Sequence, residues 1–188
     1  MSTVPQHHPL LTEAAYLELE EGSPTKHEYV DGEVFALAGA TQRHNDIATN
    51  ILVQLALGAQ GTDCRARGSD QRLRIQNGER VVFYYPDAQL VCDRSDADPN
   101  FVTRPCVIVE IESKSTADID HREKLLAYRG LQSVKAYLIV SQDQRRVIRH
   151  FRDEQGTWWR AEEIGSGSIP IPCTGRSLNL DAVYANVF

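Results

Sequence analysis

The sequence predicts an α/β domain built on a mixed β-sheet flanked by helices. Three observations carry this. Apolar-alternating strand segments and helical segments follow one another without repeat or linker. The stretch from Gln42 to Leu57 repeats apolar residues at helical spacing. Val107-Ile-Val-Glu-Ile is a short, β-branched run of the kind expected for a central strand buried on both faces. The 188 residues, 41% hydrophobic and 24% charged, suit one domain over 1–188 with a real core and exclude wholesale disorder.

The elements follow in order. Residues 1–8 read as a loose tail. Thr12 is placed to cap a short helix, with Glu13 in its first turn and Gly22 at its end. Asp31-Gly32, between apolar-alternating flanks, signals a hairpin. A second helix runs from Gln42 to Leu57, with Ile47, Ile51, Leu52 and Leu55 on one stripe, Thr41 as cap, and Gly58 and Gly61 ending it. Strands are expected at Cys64–Arg67, Gln71–Ile75, Val81–Tyr85 and Ala88–Cys92, with Pro86-Asp87 breaking the last two and a polar loop over Asp93–Asn100. The buried strand leads to a helix from Thr116 to Arg129, closed by Gly130. Strands follow at Ala136–Val140, Arg146–Phe151 and Trp158–Ala161. The remainder reads as a Gly, Ser and Pro-rich loop and a weak terminal segment over Leu178–Val187.

Composition excludes several functions. No apolar run reaches the ~18 residues that span a bilayer. The first residues lack the basic and apolar regions of a signal peptide. The net charge of −6 argues against a dedicated polyphosphate-binding module, though an acidic metal site itself adds negative charge. Cys64, Cys92, Cys106 and Cys173 form no C-x-x-C pair, which argues against a structural zinc site by spacing. They read as free thiols of a cytoplasmic protein. There is no phosphate-cradling glycine loop, no G-x-S-x-G nucleophile and no dinucleotide fingerprint.

The chemistry concentrates around the buried strand. Alternate strand residues share a face, so Ile108, Glu110 and Glu112 point one way and Val107, Val109 and Ile111 the other. Buried carboxylates are costly without a cation. Asp87 follows another apolar strand; if the two strands are neighbours, Asp87, Glu110 and Glu112 converge into a hard-oxygen site suited to Mg²⁺ or Mn²⁺, with a pair of strand-end salt bridges as the alternative. His121, Lys124 and Tyr128 share a face of the next helix. An ammonium there could orient a water nucleophile or stabilise phosphate charge. His44, at the N-terminal end of its helix, and Glu28 are candidates for contact with the site or with a phosphate. Arg65, Arg67, Arg72 and Arg74 alternate along two strands as a possible phosphate-contact stripe, or as a charged solvated edge. Arg145, Arg146, Arg149 and Arg152 read as solvated surface.

Taken together, Pro86-Asp87, Pro105-Cys-Val-Ile-Val-Glu-Ile-Glu-Ser-Lys-Ser-Thr, Asp120-His-Arg-Glu-Lys124, Tyr128 and Val134-Lys-Ala-Tyr137-Leu-Ile-Val resemble the Uma-two-type endonucleases of the PD-(D/E)XK restriction-endonuclease-like superfamily. Glu28-Tyr-Val-Asp31-Gly32-Glu33 and His44 resemble that family's N-terminal pattern. The resemblance runs from about Thr12 to Phe151. It implies a restriction-endonuclease-like core and a divalent-metal site. Asp87 matches the metal-binding aspartate, Glu110 the strand glutamate, and Lys124 a lysine on the following helix; Tyr128 and Tyr137 match aromatic positions of structural character. The chain departs from the pattern at Glu112, usually aliphatic, at Lys114, usually proline, and at Leu138, commonly tryptophan. Glu112-Ser-Lys114 itself reads as E-x-K, so a second register, Asp87 and Glu112 with Lys114, stands beside Asp87 and Glu110 with Lys124. The Glu-Ile-x-Ser-x-Ser-Thr match favours the first.

These readings lead to an expected metal-dependent DNA endonuclease. Asp87 and Glu110 would hold Mg²⁺ or Mn²⁺, Glu112 would act as a third ligand through water or as a base, and Lys124 would orient the nucleophile. Glu28, His44, Arg65 and Arg67 would support the site or touch DNA. By analogy, a homodimer would give two sites for a double-strand cut. The alternative is a non-catalytic nucleic-acid-binding or assembly protein that keeps the fold.

Overall fold

The computed structural model describes residues 10–112 and 120–188. The loose tail at 1–8, Lys114 and the start of the helix expected from Thr116 lie outside the described residues. Helix α1 (Glu13–Gly22) begins where Thr12 Oγ1 accepts from Ala15 N. Strands β1 (His27–Val30) and β2 (Glu33–Ala36) form the expected hairpin, with Asp31 and Gly32 both at positive φ, 50° and 101°. That pair of left-handed residues is what a two-residue turn needs to match the strand twist. Helix α2 (Gln42–Ala59) is capped by Thr41 as expected, but it runs through Gly58. Gly61, at φ 76°, lies beyond its end.

Strands β3 (Arg65–Gly68), β4 (Arg72–Asn77), β5 (Arg80–Tyr84), β6 (Ala88–Val91), β7 (Phe101–Val102) and β8 (Pro105–Glu112) follow. A π-helical turn (Asp120–Lys124) runs into α3 (Leu125–Gly130). Then come β9 (Ala136–Ser141), β10 (Arg146–Arg152) and β11 (Trp158–Ile164). The segment read as a loop instead forms a hairpin, β12 (Ser168–Ile171) with β13 (Arg176–Asn179), followed by the short α4 (Leu180–Val183). Its apolar residues Ile169, Ile171 and Leu178 are spaced too sparsely among Gly, Ser and Pro to announce strands, yet all three are buried.

The fold is mixed α/β, and its sheet is divided. One sheet has the order β11-β10-β9-β8-β6-β3, the other β2-β1-β5-β4-β7. Strand β8 is central, buried along its length, parallel to β9 and antiparallel to β6. Its Val107, Val109 and Ile111 face a core shared with Ile47, Ile51 and Leu55 of α2 and with the β12–β13 hairpin. Ile108 faces a second core with Tyr128 of α3 and Leu73, Ile75, Val82 and Tyr84 of the five-stranded sheet. Helix α1 covers that sheet through Tyr16 against Tyr29 and Phe83. Both faces of the six-stranded sheet are therefore covered, which is why its central strands read as continuous apolar runs. Tyr85-Pro86-Asp87 carries the chain from β5 in one sheet to β6 in the other. Among the described residues, no helix is long and apolar enough to cross a membrane.

The four cysteines are not free thiols. Cys64 is bonded to Cys92, and Cys106 to Cys173. The sequence expectation failed because these residues lie on elements distant in the chain and adjacent in space.

Candidate active site

The end of the six-stranded sheet where β8 finishes and β6 begins gathers charged side chains from both halves of the molecule. Ala88 pairs with Val109, which puts Asp87, one residue earlier, beside Glu110 and Ile111 of β8. Asp87 Oδ2 accepts the Ile111 N–H at 2.7 Å and lies 3.2 Å from His44 Nε2 on the first turn of α2. Both side chains are largely sheltered, at 15% and 17% exposure.

Glu110 is almost fully buried. Its Oε1 accepts from the Tyr128 hydroxyl at 2.7 Å and from Lys124 Nζ at 3.1 Å. Lys124 Nζ lies at the same 3.1 Å from Glu28 Oε1. Glu28 reaches this point from β1 of the other sheet and also accepts the Tyr85 N–H at 3.4 Å. Lys124 therefore ties together two carboxylates from two sheets. It sits at the end of the π-helical turn, the wider coil often found at functional sites. Tyr128, four residues on, projects from the same side of the helix. The Lys124 ammonium also lies 5.4 Å from the Tyr84 ring, a cation–π contact.

Burial sets the protonation of the aromatic groups. Desolvation, then the negative charge of Glu110, pushes the Tyr128 phenol well above its ordinary range, so it remains a hydrogen-bond donor. Tyr84 is raised by burial and by the Glu123 carboxylate that accepts its hydroxyl at 2.8 Å.

The remaining sequence-derived residues fall elsewhere. Glu112 shares the Glu110 face, as the strand alternation requires, but lies 2.8 Å from His121 Nε2 and 2.6 Å from Arg146 Nη2. Arg146 is thus no solvated surface group. Arg152, from the same cluster, donates to the carbonyl oxygens of Arg129 and Gln132. The arginine stripe is broken because β3 and β4 belong to different sheets. Arg72 is buried, with its guanidinium 5.9 Å from the Tyr16 ring, and Arg74 forms a two-pronged pair with Glu13 at 2.6 and 3.0 Å. Arg65 is exposed and Arg67 half-buried on the edge strand β3. They border a surface cleft with Asp63, Asp93 and Arg94.

Sequence reasoning sets Tyr128 aside as structural. Its hydrogen bond to Glu110 places it within the cluster, and the four-residue spacing from Lys124 is the signal that could have found it. Arg146 has no such signal, since its link to Glu112 depends on the packing of β10 beside β9 and β8.

Residues 14–181 match the Uma2 family model, described as "Putative restriction endonuclease". The match takes in most of the chain, and the chain belongs to this family. It is 29% identical over 177 residues to the uncharacterized protein slr1290 of Synechocystis, covering 94% of this chain and 92% of that protein. A second uncharacterized Synechocystis protein, sll1609, is 30% identical over 162 residues, covering 85% and 90%. A crystal structure described as a "putative nuclease" from Anabaena variabilis superposes with a TM-score of 0.74 at 14% identity, covering 95% of this chain and 99% of that one. At that identity the likeness establishes the shared fold.

Proposed function

We propose that the chain is a divalent-metal-dependent endonuclease that hydrolyses DNA phosphodiester bonds at the Asp87–Glu110–Lys124 end of the sheet. The observation that carries the reading is the gathering of sheltered carboxylates from separate elements there. Glu28, Glu110 and Asp87 stand with Lys124 and His44 at one end of the sheet. Carboxylate oxygens brought together in a sheltered place suit a hard cation, Mg²⁺ or Mn²⁺. The donor set therefore fits the metal that the family resemblance implies.

Asp87 and Glu110 would hold the cation. When bound, it supplies charge for the phosphate and acidifies a water nucleophile. The Ile111 N–H and His44 fix the Asp87 carboxylate, so that it need not reorganise on binding. Tyr128 and Lys124 do the same for Glu110. The Lys124 charge, held between Glu28 and Glu110, would stabilise negative charge developing on a phosphate, and a fixed charge in a sheltered site acts more strongly than one in water. Glu112, already held by Arg146 and His121, would act from outside this set, orienting β8 and the helix beside it. Arg65 and Arg67, the arginines of the expected stripe that lie on the edge strand, would contact phosphates. A homodimer would supply two such sites for a cut in both strands.

One observation favours a second reading, a nucleic-acid-binding protein that keeps the fold without cleaving. Each of the three strand-end carboxylates is already engaged: Asp87 with His44, Glu110 with Lys124, Glu112 with Arg146. A cleavage assay on plasmid and single-stranded DNA with Mg²⁺, Mn²⁺ or chelator separates the two. Metal-dependent nicking or linearisation supports the nuclease. Chelator-insensitive binding without strand breaks supports the alternative.

A further inference from the structure

All four cysteines of the chain meet at the end of the six-stranded sheet opposite the carboxylates. The strand register explains why. Arg65 pairs with Val91, so Cys64 and Cys92, just outside β3 and β6, are neighbours. Val91 pairs with Pro105, which brings Cys106 alongside. Cys173, in the turn between β12 and β13, comes down onto these three from the hairpin that packs on the same face. The sulfur atoms of Cys92, Cys106 and Cys173 all lie within 4.8 Å of one another, and Cys64 is bonded to Cys92. Among the described residues, no other three His, Cys, Asp or Glu donors come so close together.

The backbone frame suits a shared ion. Disulfides favour Cα separations of about 4.4–6.8 Å. Here Cys64 and Cys92 are 3.8 Å apart, and Cys106 and Cys173 are 7.1 Å apart, on either side of that window. A four-thiolate site sets no pairwise Cα limit, because each sulfur reaches a common centre at ~2.3 Å and sulfur atoms then stand roughly 3.8 Å from one another. Cys64 and Cys106 are buried and Cys173 is exposed, which gives a closed site with one outer ligand through which an ion can enter. Cys106 Sγ lies 3.7 Å from the Pro172 carbonyl oxygen and Cys64 Sγ lies 4.0 Å from that of Cys173, so the hairpin turn is already seated on the sulfurs.

We propose that Cys64, Cys92, Cys106 and Cys173, when reduced, form a tetrahedral thiolate site for a zinc-class cation that pins the C-terminal hairpin to the central sheet. The disulfide-bonded and metal-bound forms exclude each other. Opening both disulfides takes two equivalents of a dithiol reductant, each giving up two electrons and two protons and closing to its own disulfide. The four thiols formed then release four protons as the cation binds. The usual C-x-x-C signature is missing because four separate elements supply one ligand each. The proposal is independent of nuclease activity, since the two sites lie at opposite ends of the sheet.

The full-length protein, reduced with a phosphine and stripped of metal, is titrated with Co²⁺ under anaerobic conditions. The expected result is the strong visible absorption of a tetrahedral cobalt thiolate, saturating at one ion per chain and erased by Zn²⁺. Bound Zn²⁺ should also protect all four thiols from alkylation, and the disulfide form should give no absorption. Cys173→Ser, exposed and in a turn, should remain folded by circular dichroism and lose the tetrathiolate spectrum. No thiolate absorption in the reduced wild type would overturn the proposal. So would an unchanged spectrum in Cys173→Ser, or equal absorption in the oxidised protein.

Discussion

Replacing Lys124 by Met removes the ammonium that lies 3.1 Å from both Glu28 and Glu110 while keeping most of the side-chain volume. The three side chains are 8%, 13% and 5% exposed, so water cannot take over the role of counterion. Breaking a buried ion pair from one side costs about 3–5 kcal/mol, because the remaining charge stays buried. Tyr128 and the Tyr85 N–H still donate to the two carboxylates, which puts the expectation near the lower bound. For a domain of this size, ~3 kcal/mol corresponds to a fall in melting temperature of roughly 6–12 °C. One further effect follows. Mg²⁺ should stabilise the variant more than the wild type, since a cation restores positive charge beside the carboxylates; at a hundredfold excess over Kd such binding is worth ~2.7 kcal/mol. Thermal melts of both proteins at pH 7, with Mg²⁺ and with chelator, measure both. A variant that melts within about 1 °C of wild type in chelator would refute the buried-bridge reasoning.

Other expectations follow from the same geometry. Tyr128→Phe deletes a hydrogen bond to a buried carboxylate and should cost about 1.5–3 kcal/mol in urea unfolding, with an unchanged m-value. Arg65→Ala with Arg67→Ala should weaken DNA binding and make its salt dependence shallower, by roughly one unit of log–log slope for each phosphate that is no longer neutralised; Arg74→Ala, whose side chain is occupied by Glu13, should leave that slope unchanged in filter or fluorescence titrations. His150 is held down to about 4, first by burial and then by Arg160, Arg129 and His121. Its folded value lies below the unfolded one near ~6.5, so its contribution to stability is full above that pH and is lost as pH falls from ~6.5 towards 4. On acidification across that window the wild type should therefore lose stability relative to His150→Phe; parallel curves would contradict the assignment.

What the sequence made legible was local. Thr12 and Thr41 cap their helices because a β-region threonine bonds to an amide three residues on, within one turn of chain. Asp31-Gly32 turns because both residues tolerate positive φ. The face shared by Glu110 and Glu112 follows from strand alternation alone. What failed depended on which strands lie side by side. Arg72 and Arg74 alternate correctly, yet periodicity carries no information about which sheet a strand joins, and β4 joined the one covered by α1. Glu112 reads like Glu110 in sequence, but its partners come from β10 and the π-helical turn. The cysteines looked scattered because their convergence is set by the antiparallel register of β3, β6 and β8. Structure also revises one energetic expectation. Clustered carboxylates alone would predict that Glu110→Gln relieves repulsion and stabilises the apo protein. With Lys124 and Tyr128 donating to Glu110, the change instead removes an attraction, and a modest loss of stability is expected.

The central claim is that Glu110 helps to hold a catalytic cation. The most direct test compares wild type with Glu110→Gln on supercoiled plasmid in Mg²⁺, Mn²⁺ and chelator, with melting temperature and DNA affinity measured on the same preparations. The account predicts metal-dependent strand cleavage by the wild type, silenced by chelator. It predicts that Glu110→Gln folds and binds DNA with the same salt dependence and does not cut. A Glu110→Gln protein that cuts at the wild-type rate would contradict the account.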